Sequence, residues 1–174
     1  LFPYFGNESR VVVPDGVTRI ANEAFAGKEE IDRILLPESL TEIGERAFRG
    51  CLLLQTIKIP PSVREIGAGA FENCVKLLRI FLPELEQVEE STFRHCKKLR
   101  EVHFGQNLKR IRQQAFYGCN SLDRINFPEQ LEEIGVMGFY RCVKLEKITI
   151  PETVKKIGNL AFAQSGLLEV QILS

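Results

Sequence analysis

The stretch IKIPPSVREIGAGAFENCVKLLR (Ile57–Arg79) decides the fold, because most of the chain repeats it. The preceding stretch ILLPESLTEIGERAFRGCLLLQT (Ile34–Thr56) carries the same residue types at the same offsets, and so does INFPEQLEEIGVMGFYRCVKLEK (Ile125–Lys147). A fixed period of this length is typical of a solenoid. One phenylalanine marks each copy, with spacings of 23, 23, 22, 23, 23 and 23 residues: Phe25, Phe48, Phe71, Phe93, Phe116, Phe139 and Phe162.

Each copy encodes one short strand that is buried on one face. The segment L-x-x-I-x-L alternates at its end, so Ile80 and Leu82 are expected to point inward while Arg79 and Phe81 point outward. Pro83 ends this strand because proline has no N–H to donate to a sheet ladder.

A second extended run and a turn follow the proline. Val63 and Ile66 predict a brief second strand in the third block, and Gly67 suits a turn with a positive φ. The small residues before Phe71 predict one helical turn, which is too short to be stable alone. A single copy therefore has no closed core, and stacked neighbours must bury each row as a ladder of like residues.

Cysteine occupies one repeat position, three residues after the marker phenylalanine. Free cysteine suits a ladder of small buried side chains. Metal ligation and disulfides are the alternatives, but metal motifs bring ligands close in sequence and an odd number of thiols cannot fully pair. We therefore predict packing, with no metal and no cofactor, for Cys51, Cys74, Cys96, Cys119 and Cys142.

The consensus I-x-I-P-x-S-V-x-x-I-G-x-x-A-F-x-x-C-x-x-L-x-x resembles the BspA-like leucine-rich repeat family over about Val11 to Ile172. The resemblance implies an α/β fold: a right-handed leucine-rich-repeat solenoid, mainly β, with a short parallel strand and a brief helical turn per 23-residue coil. It also implies a bacterial or protozoan surface protein that binds other proteins, and hence an extracellular or cell-surface location.

We expect one solenoid domain over residues 1–174. Residues 1–10 would form an N-terminal cap, 11–172 seven repeats, and 173–174 the start of a truncated or continuing coil. Phe2, Tyr4 and Phe5 are read as part of the cap, with a ligand patch as the alternative. An uncovered last coil predicts that the parent chain continues or that this end self-associates.

Composition argues against several function classes. Lys plus Arg and Asp plus Glu are equal at 23 each, so no basic excess invites nucleic acid. No run of 18 apolar residues predicts a membrane span. His95 and His103 fall on different sides of a coil, and no catalytic motif is present, so we predict that the protein is not an enzyme.

Blocks four and five depart from the regular repeat. Block four is one residue short between Pro83 and Phe93, and Glu89 and Arg112 replace the glycine in blocks four and five. We interpret this as a kink or a tolerated deletion, with a local groove as the alternative.

Between the strands, charge signs alternate from coil to coil and predict cross-coil ion pairs: Glu86-Gln87, Lys109-Arg110, Glu132-Glu133 and Lys155-Lys156.

The outward side chains of the first strand are the natural binding surface, as on the concave faces of solenoids generally. An aromatic residue among arginines has the composition of an interface hot spot. We predict a protein partner, such as an extracellular-matrix protein or host glycoprotein; the alternative is a structural spacer without a ligand. The predicted binding residues are Arg33, Leu35, Lys58, Leu78, Arg79, Phe81, Arg100, His103 and Arg124.

Overall fold

The structure, a computed structural model, describes residues 9–173. It is a parallel β-solenoid of about seven turns with about 23 residues per coil. The cap predicted for residues 1–10 lies almost entirely outside the described residues, as does Ser174.

Two rows of short strands run along the solenoid, one strand of each row per coil. The first row consists of β1 (Arg10–Val12), β3 (Arg33–Leu35), β5 (Thr56–Ile57), β7 (Arg79–Phe81), β9 (Glu101–His103), β11 (Arg124–Ile125), β13 (Lys147–Ile150) and β15 (Glu169–Ile172). The second row consists of β2 (Arg19–Ile20), β4 (Glu42–Ile43), β6 (Glu65–Ile66), β8 (Gln87–Val88), β10 (Arg110–Ile111), β12 (Glu133–Ile134) and β14 (Lys156–Ile157).

Every strand pair is parallel and joins neighbouring coils. The first row pairs as β1-β3-β5, β7-β9-β11 and β13-β15, and the second as β2-β4-β6 and β8-β10-β12-β14. Both rows are thus interrupted between the third and fourth coils, although Leu78 N still donates to Gln55 O at 3.0 Å there.

The marker phenylalanines form the ladder that the repeat predicts. From Phe25 to Phe139 they are fully buried, and Phe162 packs against the core. Consecutive rings are stacked, with centroids 5.1 to 5.4 Å apart. This continuous file shows that each coil is sheltered by its neighbours.

The cysteines form a second buried ladder, also as predicted. All five lie in the described chain with free, buried thiols. Each Sγ donates to the carbonyl oxygen of the marker phenylalanine one coil earlier, as Cys74 does to Phe48 at 3.1 Å and Cys142 to Phe116 at 3.3 Å. The thiol therefore adds a hydrogen bond between coils besides filling space.

The predicted helical turn is wrong: no helix occurs within residues 9–173, so the fold is a β-solenoid rather than α/β. Two residues per coil, two before and two after the marker phenylalanine, have positive φ, for example Arg46 at 51° and Gly50 at 73°. The amides of Arg46, Phe48 and Gly50 donate to the next coil at 2.8 to 2.9 Å. A helix would need these N–H groups within its own turn.

The reason predicted for the glycine after the second strand is also wrong. Gly44, Gly67, Gly135 and Gly158 do not have positive φ. A Cβ on Gly67 would instead lie 2.5 Å from the backbone nitrogen of Glu45 in the preceding coil. Glycine is needed at this position because two backbones approach closely.

The shortened fourth coil has a tighter turn after its proline. Elsewhere the amide three residues after the proline closes the turn, as Val63 N does to Pro60 O at 3.1 Å. In the fourth coil Leu85 N donates to Pro83 O, only two residues back, at 2.8 Å. The missing residue is therefore absorbed in the connection between the two rows.

Candidate functional site

The outward face of the first row is the candidate site, and the strand alternation places its side chains as predicted. In β3 and β7 the central isoleucine is buried while Arg33, Leu35, Arg79 and Phe81 are exposed. The remaining predicted residues, Lys58, Leu78, Arg100, His103 and Arg124, also reach solvent on this side. Whether they bind a partner remains a prediction.

An aromatic stack lies near the middle of this face. Phe81 is 54% exposed, and its ring lies flat on the imidazole of His103, with centroids 4.3 Å apart and planes 4° apart. The two residues are Cα partners in neighbouring strands. His103 Nε2 lies 2.9 Å from a carboxylate oxygen of Glu101 on the same strand. The stack is thereby held in place while its open side faces solvent.

Sequence reasoning missed two outward residues of β1. Val12 is 65% exposed and is the Cα partner of Leu35, while Arg10 is the partner of Arg33. The face therefore begins one coil earlier than predicted. A signal for them was present in the sequence: Phe2 stands 23 residues before Phe25, and the offsets of eight and ten residues used for the other coils give Arg10 and Val12.

The C-terminal part of the same face is internally paired. Arg100 contacts Asp123 at 2.9 Å, and Arg124 contacts that carboxylate at 3.8 Å. Lys147 contacts Glu169 at 2.8 Å. A shallow depression of about 450 Å³ is lined by Asp123, Arg124, Lys147 and Glu169, together with Glu101 and Asn126. Of the predicted binding residues, Arg100 and Arg124 thus already have a carboxylate partner, and Lys58 has one in Glu38 at 3.0 Å.

A larger depression lies over the second row, where the sequence suggested a local groove only as an alternative. It has a volume of about 850 Å³ and spans the interruption between β6 and β8, with Gly67, Glu86 and Glu89 in its lining. The shortened coil therefore coincides with a groove, which was the alternative interpretation of the irregular blocks. Of the predicted cross-coil ion pairs, Glu86–Lys109, Glu132–Lys155 and Glu133–Lys156 are present. Among residues 9–173 no ion pair joins Lys109 or Arg110 to Glu132 or Glu133, so the prediction is confirmed only in part.

The histidines and cysteines of residues 9–173 do not assemble into a reactive centre. His95 stands with its ring edge-on to Tyr117, away from His103 on the first row. Burial lowers the pKa of His95, and Arg94 and Lys97 lower it further. Burial raises the pKa of Cys51 and Cys142 to about 12, which keeps these thiols protonated.

The described chain shows neither a metal site nor a membrane-spanning helix. Within residues 9–173 no three His, Cys, Asp or Glu side chains are placed to hold a metal ion. The same residues contain no helix that is long and apolar enough to span a bilayer.

The stacked parallel coils, the phenylalanine ladder and the outward strand face define a leucine-rich-repeat β-solenoid. A family profile described as "BspA type Leucine rich repeat region" matches residues 1–85 and 80–174, in six copies. The chain belongs to this BspA-type leucine-rich repeat family, as its resemblance suggested. No curated protein matches it in sequence.

Solved leucine-rich repeat proteins from bacteria share the fold. The protein from Eubacterium ventriosum aligns with a TM-score of 0.82 at 23% identity, over 92% of this chain and 44% of its own. A protein from T. pallidum aligns at 0.58 and 29% identity, over 91% and 73%. A leucine rich cell surface protein from Faecalibacterium prausnitzii aligns at 0.60 and 20% identity, over 97% and 70%. The chain spans less than half of the Eubacterium protein.

Proposed function

We propose that this chain is a non-enzymatic protein-interaction module of a cell-surface, adhesin-like protein, and that it binds its partner through the outward face of the first row. The observation that carries the proposal is the exposed Phe81–His103 stack. Phe81 is 54% exposed, so about half of the ~2 kcal/mol that full burial of such a ring gives is still available. A partner that covers it would recover that free energy.

The surroundings of the stack have the composition of a protein interface. Leu78 and Leu35 are exposed on the same face, 38% and 46% respectively. Arg79 lies two residues before Phe81 on β7 and points to the same side. Aromatic residues and arginine are enriched in interface hot spots, and neighbouring apolar contacts exclude water around them. An extracellular-matrix protein or a host glycoprotein is the partner class that we propose.

The cell-surface location rests on similarity. The Faecalibacterium protein, which shares the fold over 97% of this chain, is described as a leucine rich cell surface protein. Leucine-rich repeats present an extended strand face to their partners, and that arrangement suits adhesion at a surface.

The proposal is tested by measuring binding of the whole chain to a panel of purified extracellular-matrix proteins. We expect binding to at least one of them, and a loss of about tenfold or more in affinity for Phe81→Ala. Val143→Ala is the matched control, because Val143 is 48% exposed but lies in the turn after Cys142, away from the strand face. Equal binding by wild type and Phe81→Ala would remove this face from the proposal.

The alternative function is a structural spacer that binds nothing. The internal pairing of Arg100, Asp123, Lys147 and Glu169 favours it for the C-terminal coils, since those side chains already satisfy one another. A spacer would bind none of the panel, and Phe81→Ala would change only its solubility.

A further inference from the structure

The two halves of the first-row face differ in how their charges are compensated. In the first four coils of the row, the outward positions carry four cations and one carboxylate, a net of +3: Arg10, Arg33, Lys58, Arg79 and Asp32. In the last four coils they carry three cations and four carboxylates, a net of −1: Arg100, Arg124, Lys147, Glu101, Asp123, Glu146 and Glu169.

The arginines of the N-terminal half have no ion-pair partner among residues 9–173, whereas Arg100, Arg124 and Lys147 in the other half do. Arg10 and Arg33 lie side by side as Cα partners. Glu101 is the Cα partner of Arg79, but its carboxylate contacts His103 instead.

This arrangement does not stabilise the solenoid. Like charges directly opposite each other on paired strands are destabilising. In the C-terminal half the cationic strand positions face carboxylates instead: Arg124 is the Cα partner of Glu101, and Lys147 is the Cα partner of Glu169.

In the N-terminal half Lys58 is paired with Glu38 at 3.0 Å, but Arg10, Arg33 and Arg79 have no ion-pair partner among residues 9–173. An external group with negative charge would therefore stabilise these three arginines.

An apolar row runs beside the arginines. Val12 and Leu35 are Cα partners, two residues along their strands from Arg10 and Arg33, and Phe81 is two residues from Arg79. Side chains two residues apart on one strand lie about 7 Å apart on the same face. The half-face therefore presents a cationic row and an apolar row in parallel.

We propose that the partner is a polypeptide whose binding surface combines carboxylates with apolar side chains, and that it seats on β1, β3, β5 and β7. This inference rests on the proposed function and specifies the partner's chemistry. A purely polyanionic ligand would engage the arginines but would leave the aliphatic Val12 and Leu35 in water. An uncharged apolar ligand would leave the arginines uncompensated.

The inference is tested by selecting binders for the immobilised whole chain from a random displayed-peptide library. We expect the enriched peptides to combine an excess of Asp and Glu with apolar residues. A synthetic copy of one such peptide should bind Arg33→Ala/Arg79→Ala about tenfold more weakly than wild type. Lys155→Ala/Lys156→Ala is the matched control, which removes two charges that are paired with Glu132 and Glu133 on the second row and should stay within about twofold of wild type.

Salt and heparin identify the kind of partner. Binding of the peptide should weaken as ionic strength rises from about 0.01 M to about 0.15 M, because the arginines are exposed and screened. Leu35→Ser should weaken it as well. Heparin is tested against the same variants. If its binding to the chain is weakened by Arg33→Ala/Arg79→Ala as much as that of the peptide, and is unchanged by Leu35→Ser, the ligand is a polyanion and the inference is overturned.

The outcomes separate the inference from the function on which it rests. If no peptide is enriched, or if the enriched peptides bind Phe81→Ala as well as wild type, the proposed binding face fails. If the peptides need Phe81 but carry no acidic excess and ignore Arg33→Ala/Arg79→Ala, the face stands and the inference about its partner is overturned. Thermal unfolding of each variant confirms that it is folded.

Discussion

The substitution Gly67→Ala tests how closely the coils are stacked. The added methyl carbon would lie 2.5 Å from the nitrogen of Glu45, whereas ordinary van der Waals contact begins at 3.4 Å, so the coils must separate locally by about 0.9 Å. The obstacle is backbone rather than a flexible side chain. The separation would also stretch the hydrogen bond from Gly67 N to Ile43 O, which is 2.8 Å long.

The expected cost is about 3 kcal/mol of unfolding free energy, from overpacking and one weakened hydrogen bond. For a chain of this size that corresponds to a fall in Tm of about 6–12 °C, measured by circular dichroism during heating. Gly50→Ala is the matched control: its φ of 73° is unfavourable for alanine, but the nearest atom to a Cβ is 3.7 Å away. It should cost about 1 kcal/mol. The reasoning is refuted if Gly67→Ala is no more destabilising than Gly50→Ala.

Three further predictions concern the core and its titratable groups. At about pH 8 the native thiols should resist iodoacetamide and react only in denaturant, because burial raises their pKa; rapid labelling of the native chain would contradict this. Phe71→Ala should lower the unfolding free energy by about 4 kcal/mol, because the ring is fully buried between Phe48 and Phe93. Phe81→Ala, at an exposed ring, should lower it by less than about 1 kcal/mol. Equal losses in urea titrations would show that the ladder does not stabilise the fold. His95 has a folded pKa below its ordinary 6.5, so its contribution to stability is present above pH 6.5 and is lost as the pH falls towards the folded pKa. His95→Gln should flatten that acidic decline in unfolding free energy, and an unchanged slope would assign the decline to other groups.

The repeat spacing was sufficient to predict the solenoid and its buried ladders. Phenylalanine and cysteine recur at one position of every internal coil, and a row of like residues can be buried only by stacking. The outward side chains of β3 and β7 followed from simple alternation.

The turn conformation could not be predicted in the same way. Arg46 and Leu160 adopt positive φ although neither residue type favours it. Inter-coil hydrogen bonds impose this conformation, and they involve backbone atoms that every residue has. The purpose of Gly67 was hidden for a related reason, because it depends on the distance to another coil rather than on its own turn.

The sequence predicted which residues lie on the outward face of the first row, but not which of their side chains pair with one another. The offsets identified Phe81 and His103 as neighbours, whereas the pairing of Arg100 and Arg124 with Asp123 depends on side-chain conformation. That pairing is what distinguishes the satisfied half of the face from the open one.

Hydroxyl-radical footprinting of the chain, alone and bound to a selected peptide, tests the central claim most directly. The account predicts that oxidation falls at Val12, Leu35 and Phe81, which a partner on the N-terminal half of the first row would cover. It predicts no change at Val136 and Val143, which are 41% and 48% exposed away from that half. Protection of Val136 and Val143, with Leu35 and Phe81 oxidised as in the free chain, would contradict it.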